Sequence, residues 1–162
     1  MDHPWRRLRG LTDWTVQWCQ LKSDKCGDTD FSSHTIYLDA NLNQVERRCA
    51  LAHELVHVAR GQIPADPDLA AREEAAVEQE TARQLIDLPE LVDAIKWATT
   101  LAEAADILWV TIPVLQNRLD HLHPAERSSL KRQLLDPAIP RARRHPMTTH
   151  FVTTSTADTT CS

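Results

Sequence analysis

The sequence predicts an α+β fold, mostly helical: a small antiparallel sheet, then a helix pair carrying a His-Glu-x-x-His segment, then a helical segment of helix-turn-helix pattern. Three observations predict it. Trp14–Trp18 and His34–Asp39 alternate apolar with polar residues, the period of a half-buried strand. From Asn43 to Leu135 the pattern is helical, in segments punctuated by Gly61, Pro64, Pro67, Pro89, Pro113 and Pro124. Three glycines against nine prolines in 162 residues suit helices joined by stiff connections.

In chain order, Trp5–Leu11 is short and basic, and Trp14–Trp18 is the first strand. Lys22 to Asp30 carries Ser, Asp and Gly and reads as a turn, and His34–Asp39 is the second strand. A long helix follows from about Asn43 to Arg60, stopped by Gly61 and Pro64. Asp66 or Asp68 can cap the next helix, with Pro67 in its first turn, and it runs to about Asp87. Further helical segments are expected at 90–99, 101–109, 113–121 and 124–135. Residues 136–162, with Pro137, Pro140, Pro146 and seven threonines between 147 and 160, read as a disordered tail. The domain layout is therefore 1–96 for the sheet and helix pair, 97–135 for a helical extension packed on it, and 136–162 for the tail.

Composition narrows the function classes. No apolar run reaches the roughly 18 residues that span a bilayer. Met1–Arg7 has no apolar stretch after its arginines and is not a secretory signal, so a cytoplasmic location with no membrane partner is expected. Cys19, Cys26, Cys49 and Cys161 form no Cys-x-x-Cys pair and read as free thiols. The net charge of −5 is segregated: residues 66–93 hold nine acids against Arg72 and Arg83, and residues 126–145 hold six bases against two acids. The basic block alone is too weak to argue a nucleic-acid binder.

The chemistry sits in Ala50–Val58. On a helix His53 and His57 stand one turn apart on one face, near enough to hold one metal ion, and Glu54 lies where a general base for a metal-activated water would sit. Leu51, Ala52, Leu55, Val56 and Val58 imply a largely buried helix, in which two unpartnered histidines would be costly and two metal ligands would not. Imidazoles with a carboxylate favour zinc. The third ligand is sought among Glu73, Glu74, Glu78 and Glu80. Glu73 and Glu80 share a polar stripe with Gln84 and Asp87, read as the solvent face. Glu74 and Glu78 share a stripe with Thr81, Ala82 and Leu85, nearer the buried side. Glu78, 21 positions after His57, is the leading choice, with Glu74 as an outer carboxylate or alternative ligand and Glu80 behind them.

With these residues in view, the chain resembles the ImmA/IrrE family of zinc metallopeptidases over about residues 5–135. That family follows His-Glu-x-x-His with a helix bearing an E-x-E-A-N-x-F-A-like motif, to which Val77–Ile86 is similar, and the resemblance puts its first Glu at Glu78. Ala82 stands where Asn is usual and Gln84 where Phe is usual, and Asp87-Leu88-Pro89 is a shortened Leu-Leu-Met-Pro. The resemblance implies a zincin-like helix pair, Zn2+ held by His53, His57 and Glu78, and peptide hydrolysis with Glu54 as base. It also implies a protein substrate, a helix-turn-helix repressor, in a phage or mobile-element setting. The alternative is a non-catalytic DNA- or protein-binding regulator with a structural zinc site. For residues 101–119 packing on the zinc domain, with Trp97 and Trp109 in the core, is favoured over DNA contact. His121 and His123 read as surface residues.

Overall fold

The computed structural model describes residues 3–22 and 25–135; the expected tail and Cys161 lie outside the described residues. Within them the chain is α+β and mostly helical. A short helix α1 (Pro4–Arg9) precedes strands β1 (Thr15–Cys19), β2 (Gly27–Asp30) and β3 (Thr35–Asp39). Helices α2 (Gln44–Arg60), α3 (Pro67–Leu85), α4 (Leu88–Trp97), α5 (Leu101–Leu108), α6 (Ile112–Asp120) and α7 (Pro124–Leu135) follow.

The sheet differs from the expected antiparallel pair. Its order is β1-β3-β2, with β1 parallel to β3 and β2 antiparallel to it. The added strand is Gly27–Asp30, read from sequence as part of a turn. Its Gly-Asp-Thr-Asp composition carries no apolar alternation, and it is a strand because β3 pairs with it and α2 backs it. One intervening strand reverses the chain twice between β1 and β3, so these neighbours run the same way. The β2–β3 hairpin closes through Asp30, whose carboxylate accepts from Ser32 N and Oγ and from Ser33 Oγ; these bonds hold its pKa down at about 2.

α2 begins in a capping box. Asn43 Oδ1 accepts from the backbone N–H of Val45 and Glu46 at 2.9 and 3.0 Å, and Glu46 Oε2 accepts from Asn43 N at 2.8 Å. It ends at Gly61, whose φ of +99° favours glycine. Asp66 caps α3 by accepting from Asp68 N and Leu69 N, with Pro67 at its first turn.

α2 is buried on most of its circumference between two cores. Ala50, Leu51 and Leu55 pack with Ile36 and Leu38 of β3, joined by Trp5, Leu8 and Trp14. Cys49 and Ala52 pack with α3 to α7, through Leu85, Ile86, Leu91, Leu108, Leu115 and Leu130. That second core crosses residue 97 without a break, so the C-terminal helices share the apolar interior of the helix pair.

Two buried arginines tie the C-terminal helices down. Arg48, 1% exposed, donates to the carbonyls of Trp109 and Leu108 at 2.5 and 3.4 Å, a cation at the C-terminus of α5. Arg118, the one base within 101–119, is 3% exposed; it makes a two-pronged pair with Glu126 at 2.6 and 3.1 Å and donates to Ile86 O. Trp97 and Trp109, expected in the core, are 61% and 41% exposed. Trp97 closes α4 on its outer side, and Trp109 sits in the left-handed turn (φ 54°) after α5, where Arg48 meets both its carbonyl and its half-open ring, the guanidinium carbon 5.8 Å from the ring centre.

Replacing Asn43 with Ala removes the side-chain acceptor of Val45 N and Glu46 N while residue 43 keeps its own N–H for Glu46, and a loss of about 1 kcal/mol is expected. A urea midpoint lowered at unchanged m-value is the measurement that checks it.

Candidate metal centre

The centre is built from the levels of two antiparallel helices. At 1.5 Å rise per residue, His53 lies roughly 10 Å back from the end of α2 at Arg60, and Glu74 lies roughly 10 Å into α3 from Pro67. The two therefore meet at one height. Glu74 Oε1 is 2.9 Å from His53 Nε2, Glu74 Oε2 is 3.4 Å from His57 Nε2, and the two Nε2 atoms are 3.0 Å apart. The three groups offer one ligand atom each, all within 4.8 Å of one another, and could hold a metal ion. Tetrahedral ligands at about 2.0–2.1 Å from a zinc ion stand roughly 3.4 Å apart, so the three atoms, 2.9 to 3.4 Å apart, are gathered to within about 0.5 Å of that spacing.

Electrostatics favour a cation there. Desolvation pulls the pKa of both His53 and His57 below the ordinary imidazole value, so both rings are neutral donors of the kind a metal takes. Neutral imidazoles leave the Glu74 charge uncompensated, and a divalent ion supplies the compensation. His57 Nδ1 is buried without a hydrogen-bond partner among the described residues, so its ring is held by packing.

Glu54 projects from α2 into an enclosed position, 5% exposed. Burial lifts its pKa from 4.5 to about 7, against the lowering effect of Thr29 Oγ1, which donates to Glu54 Oε2 at 2.7 Å. β2 passes so close to this carboxylate that a Cβ on Gly27 would stand 2.5 Å from Glu54 Oε1 and 2.8 Å from its Cγ. Glycine is required there by contact rather than by backbone angle. A carboxyl group titrating near neutrality inside a cleft is suited to giving and taking a proton.

These groups line one cavity of about 770 Å³, bounded by β2, α2, α3 and the start of α6. His53, Glu54 and His57 fall where the sequence put them. The third carboxylate does not: Glu74 closes the group in place of Glu78. Glu78 is one turn further along α3, level with Cys49 rather than with His53, and its Oε2 accepts from Asn117 Nδ2 at 3.2 Å. Glu73 pairs with Arg60 at 2.5 Å and Glu80 accepts from Gln84 at 2.9 Å, so neither faces the centre. His121 and His123 are exposed, as expected.

Sequence reasoning missed Gly27 and Thr29, because a four-residue strand without alternation resembles a turn. It also missed Asn117, placed in the cavity wall by the packing of α6 on α3. No family model, curated protein or solved structure matches the chain.

Two outcomes follow for the metal-free protein. Glu54 holds its proton up to about pH 7 in the fold but only to about 4.5 when unfolded, so its contribution to stability is lost as pH rises between these values, by on the order of 3 kcal/mol. His53 and His57, lowered in the fold, oppose this by removing stability as pH falls through the ordinary imidazole range. The difference between wild type and Glu54→Gln in urea midpoints at pH 5 and pH 7.5, with chelator present, isolates the glutamate. Gly27→Ala is expected to cost about 1–3 kcal/mol by overpacking, read in the same unfolding assay.

Proposed function

We propose that the chain is a zinc-dependent metallo-endopeptidase of regulatory type, akin to the ImmA/IrrE peptidases that its His-Glu-x-x-His segment resembles. One observation carries the reading: three donor groups converge beside a cavity that also holds a buried, near-neutral carboxyl group, Glu54. A structural zinc site closes with four protein ligands, whereas a catalytic one has three and keeps a position for water or substrate. Three donors beside an open cavity favour the catalytic case over a non-enzymatic regulator.

His53, His57 and Glu74 would hold the ion. When bound, zinc polarises a carbonyl and lowers the pKa of a water toward neutrality. Glu54, with Oε2 held by Thr29, takes a proton from the attacking water as the C–O bond forms. It delivers that proton to the departing nitrogen as the C–N bond breaks, so the base ends as it began. Gly27, Asp28 and Thr29 of β2 line the cavity, and β2 is an edge strand with one side unpaired. An extended substrate peptide has a ladder of backbone groups to join there.

The substrate we propose, a helix-turn-helix repressor in a phage or mobile-element setting, rests on the family resemblance alone, as does a cytoplasmic site of action. Among the described residues no helix is long and apolar enough to cross a membrane. Direct DNA contact through 101–119 is disfavoured, since Arg118 is committed to Glu126 inside the protein.

The zinc-loaded protein is expected to cleave peptides in a reaction abolished by chelator. Glu54→Gln should keep one metal per chain and lose about 10²–10⁴-fold in kcat, while Glu74→Ala and His57→Ala should lose the metal. Elemental analysis beside a peptidase assay reads both. Undiminished cleavage by Glu54→Gln would overturn the reading.

A further inference from the structure

The cavity lining continues past the metal group along α3. Glu74, Glu78 and Thr81 form one stripe of that helix, so Glu78 lies roughly 6 Å and Thr81 roughly 10 Å beyond Glu74 along the axis. Cys49 of α2 and Pro113, Val114 and Asn117 of α6 form the facing walls.

This end of the cavity is rich in acceptors that lack donors. Thr81 is 2% exposed, and its hydroxyl has no hydrogen-bond partner among the described residues. A helical threonine commonly bonds back to the preceding turn; this one does not. Asn117 Oδ1 is likewise enclosed and unpartnered, its amide nitrogen being spent on Glu78. Among the described residues the Glu78 carboxylate receives that single bond. Leaving such groups unpaired costs about 1–3 kcal/mol each, which a donor-rich guest would relieve. Charge points the same way. Glu46 and Glu78 add to the acids of the centre, and among the described residues the one lysine or arginine in the lining, Lys25, sits at the β2 end in an ion pair with Asp28 at 2.7 Å.

We propose that the space between α3 and α6 is a specificity subsite for a lysine or arginine side chain of the substrate. The stem lies against Cys49, Pro113 and Val114, and the head donates to Glu78, Asn117 Oδ1 and Thr81 Oγ1. A basic side chain reaches roughly 6–7 Å from its Cα, from standard bond lengths, which carries its head from a backbone beside the metal to the level of Glu78. An aliphatic side chain would leave the acceptors unpaired, and an acidic one would be repelled by Glu78. This deepens the peptidase reading and rests on it for the identity of the guest.

The test gives the zinc-loaded full chain a proteome-derived peptide library, generated by a glutamate-specific protease so that lysine and arginine stay internal, and maps the cuts by mass spectrometry. Enrichment of Lys or Arg of about tenfold is expected at one position within two residues of the cut, the scale of a hydrogen-bonded charge. Glu78→Gln and Thr81→Val should each reduce that enrichment, with zinc retained at one per chain by elemental analysis. Cleavage without basic enrichment, or enrichment untouched by both variants, overturns the subsite and leaves the peptidase standing. Loss of zinc in Glu78→Gln makes Glu78 a ligand and overturns the subsite. No cleavage by the loaded wild type overturns the peptidase reading and the subsite together.

Discussion

The structure depends on α2 being packed on two sides at once. Its Leu51–Leu55 face belongs to the sheet core and its Cys49–Ala52 face to the helical core, so rotation about its own axis would unpack both. A helix held that way gives its remaining strip, with His53 and His57, a fixed direction. Polar side chains on the strip inherit the enclosure made by the apolar ones beside them, and this is why Glu54 is shielded enough to keep a proton near neutral pH. The same packing that stabilises the fold sets the chemistry of the centre.

Two buried arginines, Arg48 of α2 and Arg118 of α6, spend their charge within the molecule. Arg48 closes the end of α5, and Arg118 locks α6 to Ile86 and Glu126. A helix-turn-helix pattern arises here because two short helices need a tight turn to lay their apolar faces on α3 and α4, a requirement that says nothing about DNA. What that packing does accomplish is to bring Pro113, Val114 and Asn117 to the cavity, so the extension acts as a wall of the centre.

Much of the fold was readable in the sequence wherever one residue type has one physical use. Gly61 ends a helix, Asp66 and Pro67 start one, and His53 and His57 at one-turn spacing share a face. The remainder turned on quantities that no local pattern carries. Choosing Glu74 over Glu78 required the heights of two helices joined by residues 61–66, and the two glutamates share a stripe, so periodicity alone could not separate them. Gly27–Asp30 becomes a strand only through β3 and α2, and β1 runs parallel to β3 only because that strand intervenes. The exposure of Trp97 and Trp109 departs from expectation because large apolar residues usually bury, while here their backbones sit at helix ends.

The missing side chain at Gly27 turns the β2–β3 hairpin into a ruler. The turn at 31–34 sets which residue of β2 stands over Glu54, and a slip of one position would bring Asp28, a second carboxylate, against it. Length changes in that turn would therefore act on the surroundings of the Glu54 carboxyl group at a distance from His53 and His57, whereas changes between β1 and β2 leave the pairing of β2 with β3 intact. Homologous chains would be expected to vary the first connection freely and to keep the second at constant length. The register of a four-residue strand is in this sense part of what encloses Glu54.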